Sequence, residues 1–178
     1  MSKEHLPKII LGILGFFVMI VLYTNEFSWY NNTFDRNSLI VTALILGILV
    51  GLGIGYRLQK PERETIDTFQ TYIAAIVIAA ILMPLLLSLT NRVLSFRGIM
   101  EEPVEFVKNE GYNANRFGKI PQENPDGYYT FVIRKGAVVR LHTKQPIYQS
   151  ATKGTIVSLP IKKGLLGYDI AYAHLLMK

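Results

Sequence analysis

The pattern of apolar and polar positions changes character near Thr90. Before it, apolar residues gather in three blocks; after it, they alternate with polar ones in short runs. Ser38 to Tyr56 and Tyr72 to Thr90 each run nineteen residues without Asp, Glu, Lys, Arg or His. At the helical rise per residue such a block reaches about 28 Å, close to the hydrocarbon thickness of a bilayer. The first block, Ile9 to Thr24, is shorter, but Lys8 at its edge can extend its stem along apolar surface and lengthen it. Its end, Val21-Leu22-Tyr23-Thr24, lacks the small-residue pattern of a cleavage site, so it reads as an uncleaved anchor. The pattern therefore predicts a membrane domain over residues 1–92, with spans at about 8–24, 38–56 and 72–90.

Residues 97–178 predict a small β-rich (α+β) domain of the size of an SH3-like or OB-like barrel. Glu102-Pro103 ahead of Val104 to Val107, with Gly111 beyond, predicts a short helix. Residues 112–125 read as a loop. Tyr128 to Arg134 predicts a strand whose Tyr129, Phe131, Ile133 face is the richer in apolar side chains. Lys135-Gly136 has hairpin spacing before a strand over Ala137 to His142. A second hairpin is predicted from Thr155–Ile161 and Leu165–Tyr172, joined by Lys162-Lys163-Gly164, with the glycine supplying a left-handed turn residue.

Composition sharpens this division. Only 18% of residues are charged and 50% are apolar, whereas soluble domains carry about 25% charge. No cysteine is present, which removes disulfides, thiolate metal sites and cysteine nucleophiles. The net charge of +6 is unevenly placed. Lys3, Lys8, Arg57, Lys60 and Arg63 fall on the side of the N-terminus, against Arg36 alone in the intervening loop, which predicts a cytoplasmic N-terminus and an extracytoplasmic C-terminal domain. Arg92, Arg97 and Lys108 beyond the third span narrow that margin. Trp29, Tyr30 and Phe34, with Tyr23, Tyr56 and Tyr72, suit an interfacial aromatic belt. Asn31-Asn32-Thr33 matches a glycosylation triplet, a frequent pattern with little weight of its own.

The most specific membrane signal is a ladder of small residues at four-residue spacing on the second span, Ala43, Gly47, Gly51 and Gly55. Thr71, Ala75 and Ala79 repeat that spacing on the third. Small side chains let helix backbones approach closely in lipid, where packing replaces the hydrophobic drive. The short connection makes the two spans antiparallel, so Gly55 is expected near Thr71, Gly51 near Ala75 and Gly47 near Ala79. Pro84 interrupts the third span and frees the carbonyl of Ala80.

Candidate chemistry is thin. His142, Ser158 and Asp169 supply the residue types of a hydrolase triad without a nucleophile-elbow sequence, and ordinary sheet positions account for them. His5, His142 and His174 lack ligand spacing, so neither metal nor cofactor is expected. The basic, tyrosine-containing domain has no ordered nucleic-acid motif, and nucleic acid is disfavoured as a partner. Ile9–Thr24, Ser38–Tyr56 and Tyr72–Thr90 hold no Asp, Glu, Lys, Arg or His, which disfavours a proton pump or an ion-coupled carrier. Lys162 and Lys163 beside Leu165 and Leu166 suggest a contact with a partner or a membrane surface. The expectation is a non-catalytic integral-membrane accessory or scaffold protein. Its partners would be the lipid bilayer and another membrane or envelope protein, or further copies of itself. An oligomeric channel or transporter subunit is the alternative, and a membrane hydrolase a lesser one.

Overall fold

A computed structural model describes residues 6–59, 64–113 and 125–177. Lys3, His5, Lys60, Arg63, the Lys8 side chain and most of the loop expected over 112–125 lie outside the described residues. The chain divides into two compact units, one of residues 1–28 and 37–89, the other of residues 29–36 and 90–178.

The first unit contains most of three helices, α1 (Leu6–Asn31), α2 (Arg36–Leu58) and α3 (Thr65–Val93). All three are long and apolar enough to cross a membrane. Long, predominantly apolar runs pair most of their backbone groups internally along each helix, which is what a helix able to cross a membrane requires. α1 continues seven residues beyond the Thr24 limit expected from the sequence. That extension carries Glu26 into the helix, so the expectation of acid-free spans does not hold for it. Pro84 sits inside α3, and one turn earlier the Tyr23 hydroxyl of α1 donates to the carbonyl of Ile81.

The second unit is built on a curled, half-barrel sheet of five antiparallel strands. These are β1 (Ile99–Tyr112), β2 (Gly127–Arg134), β3 (Ala137–Thr143), β4 (Ile156–Lys162) and β5 (Ile170–Ala171), in the order β3-β2-β1-β4-β5. A 3-10 turn, Ala173–Leu176, follows. Where a short helix was expected over Glu102–Val107, the chain is instead the middle of β1. Val104 and Phe106 are buried at two-residue spacing while Glu101 and Pro103 are exposed, and that alternation satisfies a sheet rather than a helix. Pro103 is tolerated because β2 pairs with β1 only from Glu105 onward, so no donor is required of it on that flank.

β2 and β3 pair from Tyr128↔Thr143 to Arg134↔Ala137 around Lys135 and Gly136. Both turn residues have positive φ, 51° and 79°, as a primed two-residue hairpin turn requires. The second hairpin differs from expectation. β5 is two residues long and pairs Ile161 with Ala171 and Lys162 with Ile170, leaving residues 163–169 as a seven-residue connection. Gly167, not Gly164, takes the left-handed conformation there (φ 89°).

Phe34, Val104, Val132, Leu141, Leu159, Ile161 and Ala171 form the core of this unit. Phe34, expected in an aromatic belt, is thus an interior residue, 5% exposed. It reaches the core because Asn32–Phe34 pairs along the sheet edge: Thr33 bridges Ile170, the Phe34 amide donates to Asp169 (2.9 Å) and the Ala171 amide donates to Asn32 (2.9 Å).

Candidate functional site

β5 and β3 are the two edges of the sheet, and one side chain joins the segment Asn32–Phe34, which runs beside β5, to β3. The Asn32 carboxamide donates Nδ2–H to the carbonyl of His142 (3.1 Å), and its Oδ1 accepts the His142 amide (2.8 Å). A primary amide can both donate and accept in one plane, so Asn32 imitates a neighbouring strand residue. Thr33 of the glycosylation triplet is buried, its hydroxyl donating to Trp29 (3.0 Å).

Arg134, at the turn end of the β2–β3 pair, is buried with two acidic partners. Its Nε and Nη2 bond both oxygens of Glu102 (2.9 and 2.7 Å), and Nη2 also reaches Asp169 (2.7 Å). Its guanidinium lies over the Phe34 ring at 4.2 Å. The hydrogen bonds from Arg134 hold the Glu102 carboxyl below its ordinary range, and those from Glu102 and Asp169 raise the Arg134 pKa. A cleft of about 260 Å³ opens above, lined by Asp35, Lys135 and Val139 among others. Because both carboxylates already engage Arg134, the arrangement is a structural ion network.

Which face of the sheet points outward decides what it presents to a partner. Thr130, Val132 and Arg134 are buried, whereas Tyr129, Phe131 and Ile133, the more apolar set, are half-buried on the opposite face. Register places His142, Arg140 and Val138 of β3 opposite them, with Glu110, Lys108 and Glu105 of β1 on the other flank. Val138 is 64% exposed and Ile156 on β4 is 66% exposed. Tyr112 stacks on Tyr129 at 4.6 Å and bonds His142 Nε2, while Arg140 lies over the Tyr129 ring at 4.6 Å. Burial, then the charge of Arg140, lowers the His142 pKa, which favours neutral imidazole at this ring cluster.

The three residue types of a hydrolase triad are engaged separately. His142 bonds Tyr112, Ser158 donates to Glu101 on the outer face, and Asp169 pairs with Arg134. No relay links them in these contacts.

Within the helical unit, a Cβ on Gly47 would fall 2.7 Å from the Ala80 Cα and 3.0 Å from the Ala79 carbonyl. A Cβ on Gly51 would collide with the Ile76 Cα and lie 2.9 Å from the Ala75 carbonyl. One on Gly55 would meet the Tyr72 ring at 2.6 Å. Ala43, Ala75 and Ala79 are buried, and Thr71 donates to the carbonyl of Asp67 within α3 (2.8 Å). Glu26, missed because the first span was ended at Thr24, is 3% exposed and accepts a hydrogen bond from Ser88 Oγ at 2.8 Å.

Lys162 ends β4, and Lys163, Leu165 and Leu166 lie on the connection that follows. Leu165 and Leu166 are 52% and 43% exposed. Their backbone is fastened to Asn91 in the last turn of α3: Leu165 N–H donates to its carbonyl (3.0 Å) and Leu166 N–H to its Oδ1 (2.9 Å). These bonds are why no long fifth strand forms. No protein-family model, curated protein or solved structure matches the chain.

Proposed function

We propose that this is a non-catalytic integral-membrane accessory protein whose three helices span the bilayer and hold a small domain that recruits another membrane or envelope protein. The outward turn of the richer apolar face of β2 carries this reading. An apolar row of Tyr129, Phe131, Ile133 and Val138, rimmed by Lys108, Arg140, Glu105 and Glu110, has the composition of a protein-binding patch. The core has no need of that row, since Phe34 and the Asn32 clamp complete it from the other side. Of the two barrel types, the strand order with a long β1 shared by both halves supports the OB-like one, a partly open five-stranded barrel. The excess of Lys and Arg beside the N-terminus and the second connection supports a cytoplasmic N-terminus.

The test is native copurification from intact membranes in mild detergent, comparing the wild type with Val138→Glu. A retained partner that the variant loses, with helices and sheet unchanged by circular dichroism, supports the reading. A wild-type monomer that brings down nothing opposes it.

A channel or transporter subunit is the second reading, and Glu26 favours it. A carboxylate buried between apolar helices marks an ion or proton path more often than a structural site. Flux into liposomes holding the purified protein, abolished by Glu26→Gln, supports this reading; tight liposomes oppose it.

A further inference from the structure

Residues 90–98 and 162–168 carry Arg92, Arg97, Lys162 and Lys163 and no acidic residue. The two segments are tied together closely. Besides its bonds to Leu165 and Leu166, Asn91 donates Nδ2–H to the Tyr168 carbonyl (2.7 Å), Ser95 Oγ donates to the Lys163 carbonyl, and Lys162 Nζ approaches the Arg92 carbonyl at 3.4 Å. Gly164 is packed so closely on the Asn91 carboxamide that no side chain fits there. Asn91 is 1% exposed, so this joint is an interior feature of the unit.

What the joint displays is apolar. Val93 is 58% exposed, Leu94 47% and Phe96 94%, and Leu165 and Leu166 are the exposed pair on the tied loop. Large aliphatic and aromatic side chains beside Arg97, Lys162 and Lys163 suit the boundary between lipid headgroups and acyl chains; Lys163 also acts on the Glu102 carboxyl, and Arg92 lies over the Trp29 ring at 4.8 Å. Connectivity favours the same occupant. Phe96 follows the end of the apolar run of α3 at Thr90 by six residues, a reach of about 20 Å at most.

We propose that residues 92–97 and 162–166 form one membrane seat, in which Val93, Leu94, Phe96, Leu165 and Leu166 enter the interface of an anionic bilayer and Arg97, Lys162 and Lys163 meet its headgroups. The seat rests on the reading that α3 spans the bilayer.

The chain has no cysteine, so single cysteines can report position without background. Full-length Phe96→Cys, Leu165→Cys, Val138→Cys and Ile48→Cys proteins, each carrying a bimane label, are reconstituted into vesicles of phosphatidylcholine alone or of equal parts phosphatidylcholine and phosphatidylglycerol. Each set includes vesicles bearing a nitroxide quencher near the headgroup and vesicles bearing one deep in the acyl chain. Labels at 96 and 165 are expected to be quenched severalfold more than at 138 by the shallow quencher. The effect should be larger in anionic vesicles and fall to the neutral-vesicle value in a Lys162→Glu, Lys163→Glu background. The Ile48→Cys label should respond to the deep quencher. If it does while the labels at 96 and 165 match the one at 138, the seat is overturned and the spanning reading stands. Labels shielded from aqueous iodide yet untouched by lipid quenchers also overturn the seat, in favour of a protein contact. An unquenched Ile48→Cys label overturns the spanning reading, and the seat with it.

Discussion

Asn32 shows how a single side chain can stand in for a strand. Its carboxamide satisfies both backbone groups of His142, so Asn32→Ala leaves a donor and an acceptor to find water at the edge of β3. A loss of about 1–3 kcal/mol is expected, measured by denaturant unfolding of the sheet in detergent. Arg134 matters more, since it is buried between Glu102 and Asp169. Removing it as Arg134→Ala strands two carboxylates and is expected to cost about 3–5 kcal/mol in the same measurement. The pH response follows from Glu102. Its folded pKa lies below its unfolded one, so the stabilisation is complete above the unfolded carboxyl range and is lost as pH falls through the folded value. Acid titration of the wild type is therefore expected to lower the unfolding midpoint below about pH 4, with a shallower fall in Glu102→Gln.

At the scale of elements, α2 and α3 meet where glycine has no side chain to separate them. Gly51 is the tightest point, with the backbone of Ile76 and Ala75 in the space a Cβ would take. Backbone cannot step aside as a flexible side chain can. Gly51→Ala is expected to destabilise the helical pair by about 1–3 kcal/mol, and Gly51→Leu more, whereas Gly53→Ala, which meets nothing, should be neutral. Thermal unfolding in detergent, followed by helical circular dichroism, separates these outcomes. The contrast between the hairpins is a matter of elements too. Lys135-Gly136 closes β2 onto β3 in two residues, but Asn91 takes the amides of Leu165 and Leu166 and so prevents a matching ladder after β4.

The whole molecule interleaves its two units along the chain. Residues 29–36, from the last residues of α1 to the first of α2, belong to the sheet unit and place Phe34 in its core. The fragment 90–178 should therefore lack a core residue and the Asn32 clamp. It is expected to show broad amide dispersion loss and fast hydrogen exchange in β3 and β5, and joining residues 29–36 to it should restore protection. A fragment that folds cooperatively without them would show that the closure is dispensable.

The three apolar helices and the β-rich second half were legible in the sequence, because length, period and spacing are local properties that no distant residue rewrites. The limits of α1 were not, since Trp29, Tyr30 and Asn31 continue a helix whose polar end is taken up by the sheet unit. Nor was β1 in place of a helix around Pro103. Glu and Pro before an apolar run fit a helix start equally well, and only pairing with β2 and β4 makes the alternation of Val104 and Phe106 count. The facing of β2 and the burial of Phe34 depend on which surface the rest of the chain covers. Sequence thus determined where apolar stretches begin to repeat and with what period. Tertiary structure alone decided which side of each strand is interior, because that choice is made by contacts such as Asn32 to His142 and Asn91 to Leu165, between residues far apart in the chain.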